Sequence, residues 1–148
     1  MSKIKPRYIP KTLSKRDQLL QRRMILRSRK LYKRKKYFTR KTVPSFHSKP
    51  SNHIKNAMKM YNVDSITPSP ALAKATKCSQ HALSEIVRKG EGAYYSSGSR
   101  PNQTPQSWAY ARLASAITGG KAAKVDYHIL EKGCKADSKA LKLAKKYI

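Results

Sequence analysis

The stretch from Arg22 to Lys41 contains eleven Lys or Arg residues and no acid. A protein core cannot hold this density of charge, because burying an unpaired cation costs more free energy than folding supplies. We therefore predict that these side chains bind nucleic acid or an acidic protein surface, or face water. The predicted binding residues are Arg22, Arg23, Arg27, Arg29, Lys30, Lys33, Arg34, Lys35, Lys36, Arg40 and Lys41.

Positive charge extends over the whole chain and is densest in its first half. The 148 residues carry 34 Lys or Arg and seven Asp or Glu, a formal net charge of +27. Residues 1–70 hold 20 of these cations against two acids. Nucleic acid is the usual partner for such a balance. An anionic membrane surface is an alternative, but the sequence shows no lipidation signal and no apolar stretch of spanning length, so we expect no transmembrane segment.

Apolar periodicity and capping residues predict a mainly α protein in two parts, of which residues 1–66 form a long basic arm. The arm is expected to be extended, with a helix over about 15–36 and a short helix over about 52–61. Neighbouring cations repel each other, so we expect the longer helix to be firm only against a partner.

Residues 67–148 are predicted to form a small, compact helical domain that stays folded when residues 1–41 are deleted. A capping residue followed by proline opens two of its helices, at Ser69 and at Thr104. Gly90 is expected to end the first long helix of this domain. Trp108 is predicted to lie in the core, as part of the apolar face of the next helix.

The loop that follows Gly90 contains a candidate anion site at Ser97, Gly98, Ser99 and Arg100. Consecutive Ser and Gly residues present several backbone N–H groups to one anion, and a guanidinium adds a bidentate clamp. The alternative is that the polar side chains of the loop satisfy its own backbone while neighbouring aromatic rings attach it to the core.

The runs SGSRPNQT, SWAYARLAS and TGGKAAKVDYHIL lie within residues 92–134. Together they resemble an uncharacterised domain family of large double-stranded DNA viruses (giant viruses among them) and phages, whose members are often virion-associated. The resemblance covers under a third of the chain and does not include the basic arm. It implies a virion or genome-packaging context. Together with the basic arm, it leads us to predict a structural virion protein, an internal minor capsid protein on the interior side of the shell. The predicted partners are capsid proteins of the same large assembly, and the packaged genomic DNA is a further candidate partner of the arm.

Other chemistry finds little support in the sequence. Cys78, His81, His128 and Cys134 are residue types that zinc accepts, but their spacing matches no common zinc finger, so we predict no metal and no cofactor. Two cysteines favour a reducing compartment, with one bridge between them as the alternative. The seven acids show no paired arrangement, and we therefore predict that the protein is not an enzyme.

Two other function classes stay open. A ribosomal or RNA-binding protein with a basic tail suits the composition equally and would be a cytoplasmic or nuclear nucleoprotein. A nucleic-acid-processing enzyme would have Arg100 and the serine-rich loop at its site. The aromatic residues Tyr8, Tyr32, Tyr37 and Phe38 alternate with cations, a pattern typical both of base stacking and of anchoring in pockets of a partner protein.

Overall fold

The computed structural model describes residues 3–47 and 52–148, and both ranges are mainly helical. The described residues contain eight α-helices and no strand, which confirms the predicted helical class. The helices are α1 Lys15–Lys33, α2 Asn52–Tyr61, α3 Pro70–Thr76, α4 Gln80–Ser96, α5 Pro105–Ile117, α6 Lys121–Val125, α7 Tyr127–Gly133 and α8 Lys139–Ala144, with 3-10 turns at Pro6–Tyr8 and Lys145–Tyr147. None of the helices in these ranges is long and apolar enough to cross a membrane.

The chain divides into two compact units, each assembled from separate stretches of sequence. The basic unit consists of Met1–Pro50 and Glu91–Trp108, and the disulfide unit consists of Ser51–Gly90 and Ala109–Ile148. This division differs from the predicted boundary at residue 66. The difference arises because the segment from Glu91 to Trp108 makes its contacts with the N-terminal residues of the chain.

The predicted extended arm is not found in residues 3–47, which fold within the basic unit. Leu13, Met24 and Val43 are buried together, and the rings of Phe38 and Phe46 pack against them. This small apolar cluster joins residues on both sides of α1, so the N-terminal segment folds back on itself. Residues 1, 2 and 48–51 of the predicted arm lie outside the described residues.

Helix α1 begins where the sequence predicts and ends a turn earlier. The Ser14 side chain accepts a hydrogen bond from the Asp17 backbone N–H, as an N-cap does. The helix ends at Lys33, because Lys35 adopts a left-handed backbone with φ of 59°. The buried residues of α1 are Asp17, Gln21, Met24, Ile25 and Ser28. Three of these five are polar, so apolar periodicity alone does not identify this face.

Helix α4 does not end at Gly90 as predicted but continues to Ser96. A Cβ atom on Gly90 would lie 2.7 Å from the Cα atom of Ala109 in α5. Gly90 therefore permits the two helix backbones to approach each other. It lies inside the helix for close packing and does not end the helix. The loop before α5 begins at Ser97 in consequence.

The two predicted capping residues are both confirmed. The Ser69 side chain accepts from the Leu72 backbone N–H at the start of α3, and the Thr104 side chain accepts from the Ser107 backbone N–H at the start of α5. Trp108, predicted as a core residue, is only half-buried and packs its ring edge-to-face against Tyr8 with centroids 5.8 Å apart.

The disulfide unit has an apolar core formed by α2, α3, α6, α7, α8 and the parts of α4 and α5 that belong to it. Its fully buried side chains include Leu72, Leu83, Ile86, Leu113 and Leu130. Cys78 and Cys134 form a disulfide. The sequence left open whether these two cysteines are free thiols or bridged, and in the structure they are bridged. Because both sulfurs are bonded to each other, they are not available as zinc ligands.

Candidate nucleic-acid interface

Most of the predicted binding cations project into solvent from α1 and the residues after it. Nine of the eleven side chains are exposed: Arg22, Arg23, Arg27, Lys30, Lys33, Arg34, Lys35, Lys36 and Lys41. We call these nine the cationic surface. It belongs to the basic unit, whose sequence holds 19 Lys or Arg against two acids, a net charge of +17.

The two acids of the basic unit do little to neutralise this surface. Asp17 lies on the buried face of α1, where its carboxylate accepts hydrogen bonds from the backbone N–H and the hydroxyl of Ser45. These hydrogen bonds lower the pKa of Asp17. The other acid, Glu91, lies at the first position of the second stretch of the unit. The cationic surface therefore presents a field of one sign, which attracts polyanions.

Arg27 and Arg29 also contribute to the structure of the unit. The Arg27 guanidinium lies over the Phe38 ring, 4.9 Å from its centroid. Arg29 is half-buried, and its Nε donates a 2.9 Å hydrogen bond to the carbonyl oxygen of Ser97. A phosphate group competing for Arg29 would have to displace that carbonyl, whereas Arg27 keeps its polar edge toward solvent.

Arg40 is a correction to the predicted binding set, because only 7% of it is exposed. Its guanidinium donates to the Ser28 hydroxyl at 3.1 Å, the Tyr94 carbonyl oxygen at 2.8 Å and the Ser99 hydroxyl at 2.8 Å. It also stacks on the Tyr94 ring, 3.7 Å from the centroid. Burial lowers the pKa of Arg40. A cation held in this way organises the unit and cannot reach a phosphate.

The candidate anion site at Ser97, Gly98, Ser99 and Arg100 is not formed. The backbone N–H groups of Ser97 and Gly98 both donate to the Ala93 carbonyl oxygen at the end of α4, at 2.9 and 3.1 Å. Ser99 is buried, and its hydroxyl accepts from Arg40 and donates to the Arg100 carbonyl oxygen. The alternative prediction, in which polar groups of the loop satisfy the protein's own backbone, describes this loop better.

Gly98 and Arg100 occupy opposite environments within the same loop. Gly98 is buried with φ of +136°, and a Cβ atom there would lie 3.1 Å from the Tyr8 ring and 3.3 Å from Ile25. Gly98 is therefore required by its backbone conformation and by close packing. Arg100 is exposed and adds a cation to the surface of the basic unit.

Three polar residues that were not predicted as functional hold the two stretches of the basic unit together. The Gln21 amide donates to the carbonyl oxygens of Tyr8 and Ser99, and the Ser28 hydroxyl donates to that of Tyr95. Asn102 accepts from the Val43 backbone N–H at 2.7 Å. Gln21 and Ser28 lie at helix positions i and i+7, the spacing of one buried face, and that spacing is the signal that was available.

Three tyrosines form an aromatic cluster beside the C-terminal end of α1. Tyr32 and Tyr95 are nearly parallel, with an interplanar angle of 11° and centroids 5.9 Å apart. The Tyr37 ring packs at 5.2 Å from Tyr95 and 6.1 Å from Tyr32. We call these three residues the tyrosine cluster. Tyr37 is 69% exposed, so most of its ring is open to solvent next to the cationic surface.

The disulfide unit contains a buried acid that forms an ion pair, Asp126. Asp126 is fully buried and receives two hydrogen bonds from the Arg112 guanidinium, at 2.9 and 2.7 Å. This bidentate pair is a structural contact rather than a general base. Residues 3–47 and 52–148 contain no group of three or more His, Cys, Asp or Glu side chains placed to hold a metal ion.

Comparison with protein families adds one match. A model described as a family of unknown function (DUF5824) matches residues 6–138. The match includes the cationic surface, the loop and the tyrosine cluster, whereas the resemblance noted above covered only residues 92–134. No curated protein and no solved structure matches the chain significantly.

Proposed function

We propose that this chain, which belongs to the DUF5824 family of unknown function, is a nucleic-acid-binding structural protein that acts inside a virus particle. The observation that carries the binding part of the proposal is the cationic surface: nine exposed Lys or Arg side chains within twenty residues, on a unit of net charge +17. Phosphate backbones are the partners that such a surface neutralises by releasing condensed counterions.

The binding part is tested by titrating a fluorescent DNA duplex with the full chain at several salt concentrations. If the surface engages six or more phosphates, affinity should fall by about a thousandfold or more between about 50 and about 200 mM salt. The slope of log affinity against log salt gives the number of phosphates, at about 0.9 per contact. A flat salt profile would contradict binding through phosphates and would favour a protein partner.

A matched pair of triple variants locates the surface. The first is Arg22→Gln, Arg23→Gln and Lys30→Gln, three exposed residues of α1. The control is Lys121→Gln, Lys124→Gln and Lys132→Gln, three exposed residues of the disulfide unit that remove the same charge. We expect the first variant to lower the salt slope by about 2 to 3 and the control to change it by less than about 1. Equal effects would mean that net charge, not this surface, determines binding.

The virus-particle part is supported by the resemblance of residues 92–134 described above. In this setting the protein is an internal minor capsid protein, and its cationic surface faces packaged DNA or an acidic face of a neighbouring capsid subunit. Mass spectrometry of purified particles should find the chain together with capsid protein. Recovery of the chain with ribosomal RNA from host cells, and its absence from particles, would instead support the RNA-binding alternative.

A further inference from the structure

Tyr37 is the exposed end of a series of contacting tyrosine rings whose other end is buried. Tyr94 is fully buried, and the edge of its ring meets the Tyr95 ring at 5.2 Å. Tyr95 packs in turn against Tyr32 and Tyr37. The outer ring of the tyrosine cluster is therefore supported by aromatic contacts that continue to the core of the basic unit, while 69% of Tyr37 faces water.

The backbone before Tyr37 is held in place as well. Lys35 is left-handed with φ of 59°, and the Lys36 N–H donates a 2.9 Å hydrogen bond to the Leu31 carbonyl oxygen. These contacts close the C-terminal end of α1 and set the direction in which the chain reaches Tyr37. An exposed large aromatic side chain with this support keeps its orientation at little entropic cost when a ligand binds.

A run of cations lies directly before Tyr37 in the sequence. Lys33, Arg34, Lys35 and Lys36 directly precede Tyr37, and all four are exposed. A ligand that suits both features has a flat aromatic face for Tyr37 and phosphates at short spacing for the cations. Unpaired nucleotides have both, because each base exposes a π-face and each phosphate a negative charge. A duplex offers the phosphates alone, since its bases are stacked on each other.

We propose that Tyr37 is a stacking platform for an unpaired base, and that the preferred ligand of the cationic surface is single-stranded nucleic acid. The inference rests on the proposed function, because the phosphates bind the same exposed cations. It goes further in naming the strand form of the ligand and the residue that discriminates it.

The test measures the affinity of the full chain for three fluorescent ligands at one salt concentration: a thymidine strand of about 20 nucleotides, a uridine strand of the same length and a DNA duplex. Tyr37→Ala should weaken binding of the single strands by about tenfold, the effect of losing one stacked base, and should leave duplex binding unchanged. Tyr37→Phe keeps the π-face and should bind all three ligands as the wild type does.

Two further variants serve as controls for packing and for exposed apolar surface. Tyr37→Leu retains apolar bulk without a π-face and should weaken single-strand binding as the alanine variant does. This variant separates the loss of the π-face from the loss of packing that alanine also causes. Leu19→Ala removes an exposed apolar side chain elsewhere on α1, 57% exposed, and should change no affinity. Thermal melts should coincide for all variants, because the substituted side chains are mostly exposed.

The outcomes separate the inference from the proposed function. Unchanged single-strand affinity in Tyr37→Ala and Tyr37→Leu overturns the platform, while the α1 triple variant still weakens binding and the proposed function stands. Equal losses for the strands and the duplex also overturn it, because base stacking is not then the cause. If the wild type binds none of the ligands at low salt, both proposals fail. A loss confined to the uridine strand supports the platform and assigns it to RNA.

Discussion

Arg40 shows how a single residue can belong to a charge cluster in the sequence and to the core in the structure. It lies in the most basic stretch of the chain, yet its guanidinium is surrounded by Ser28, Ser99 and the Tyr94 ring. The guanidinium has five N–H donors in a planar fork, so it can bond several acceptors at once. Here oxygens and a π-face take the place of a carboxylate.

We predict that Arg40→Lys lowers the free energy of unfolding by about 2–3 kcal/mol. An ammonium group keeps the charge but cannot reach three separate acceptors, and hydrogen bonds from a charged donor contribute about 1.5–3 kcal/mol each. Urea denaturation followed by circular dichroism measures the change. Lys41→Gln, on the exposed neighbour, is the control and should change stability by less than about 0.5 kcal/mol. A stable Arg40→Lys variant with weakened nucleic-acid binding would restore Arg40 to the binding surface.

The buried hydroxyl of Tyr61 should make the stability of the disulfide unit depend on pH. Its hydroxyl donates to the Ile117 carbonyl oxygen, and burial raises its pKa from 10.0 to about 12. The folded state therefore holds the phenolic proton more tightly than the unfolded state does. The stabilisation is fully present below pH 10 and is lost as the pH rises from 10 toward about 12, because the unfolded chain releases the proton first.

Tyr61→Phe is the variant that isolates this effect. At neutral pH it should cost about 1 kcal/mol through the lost hydrogen bond. Above pH 10 the difference in unfolding free energy between wild type and variant should shrink, because the phenylalanine has no proton to lose. Chemical denaturation of both proteins at a series of pH values gives the two curves. Parallel curves across the whole range would show that the Tyr61 hydroxyl titrates alike in the folded and unfolded chain.

At the scale of the helix, the capping residues could be predicted from the sequence. Helix ends that depend on packing against another helix could not. Ser69 and Thr104 act within one turn of their own positions, so local sequence suffices to recognise them. The end of α4 was predicted wrongly because Gly90 is also a common terminator. Its actual role depends on Ala109, nineteen residues away in the next helix, and a local pattern does not contain that contact.

The pair Gly90 and Gly92 provides a test of this interpretation. Gly90→Ala should destabilise the protein by about 1–3 kcal/mol, although alanine is the better helix former, because its methyl group would overlap Ala109. Gly92→Ala is the matched control in the same helix. Its Cβ atom would lie at an ordinary 3.4 Å from the Tyr32 hydroxyl, so we expect stability to stay equal or to rise by up to about 1 kcal/mol. Thermal melts rank the two variants, and equal effects would contradict the packing role of Gly90.

At the scale of the molecule, the basic unit is discontinuous in sequence. Residues 1–50 and 91–108 form it together, so neither stretch is a self-sufficient fold. This division conflicts with the expectation that residues 67–148 stay folded when residues 1–41 are deleted, and that expectation stays a prediction. Removal of the N-terminal stretch would take away Arg40, Gln21 and Ser28 and leave their carbonyl partners in 91–108 unpaired.

We predict that deleting residues 1–47 makes the segment from Glu91 to Trp108 accessible to protease. In the intact chain Tyr94 is fully buried, and chymotrypsin should not cut after it. In the truncated chain the same site loses its covering residues and should be cleaved early. Limited proteolysis with mass spectrometry identifies the site. A truncated chain as resistant in this segment as the intact protein would support the original division into arm and domain.

The disulfide gives a second prediction at this scale. Cys78 and Cys134 are 56 positions apart. A bridge across a loop of this length stabilises a protein by about 3–4 kcal/mol, because it lowers the conformational entropy of the unfolded chain. Replacing both residues by serine should lower the denaturation midpoint, and a reductant should lower that of the wild type to the same value. Identical midpoints with and without reductant would mean that the two residues are thiols under those conditions.

The sequence by itself determined the helical class, the helix caps and the strong positive field of the N-terminal half, because each of these depends on neighbouring residues or on a simple sum of charges. Only the tertiary structure decided that Arg40 is buried, that α4 passes through Gly90 and that residues 91–108 complete the basic unit. The tertiary structure also placed the tyrosine cluster at the surface. These features are set by contacts between residues far apart in the chain, where hydrogen bonding and close packing outweigh local preference.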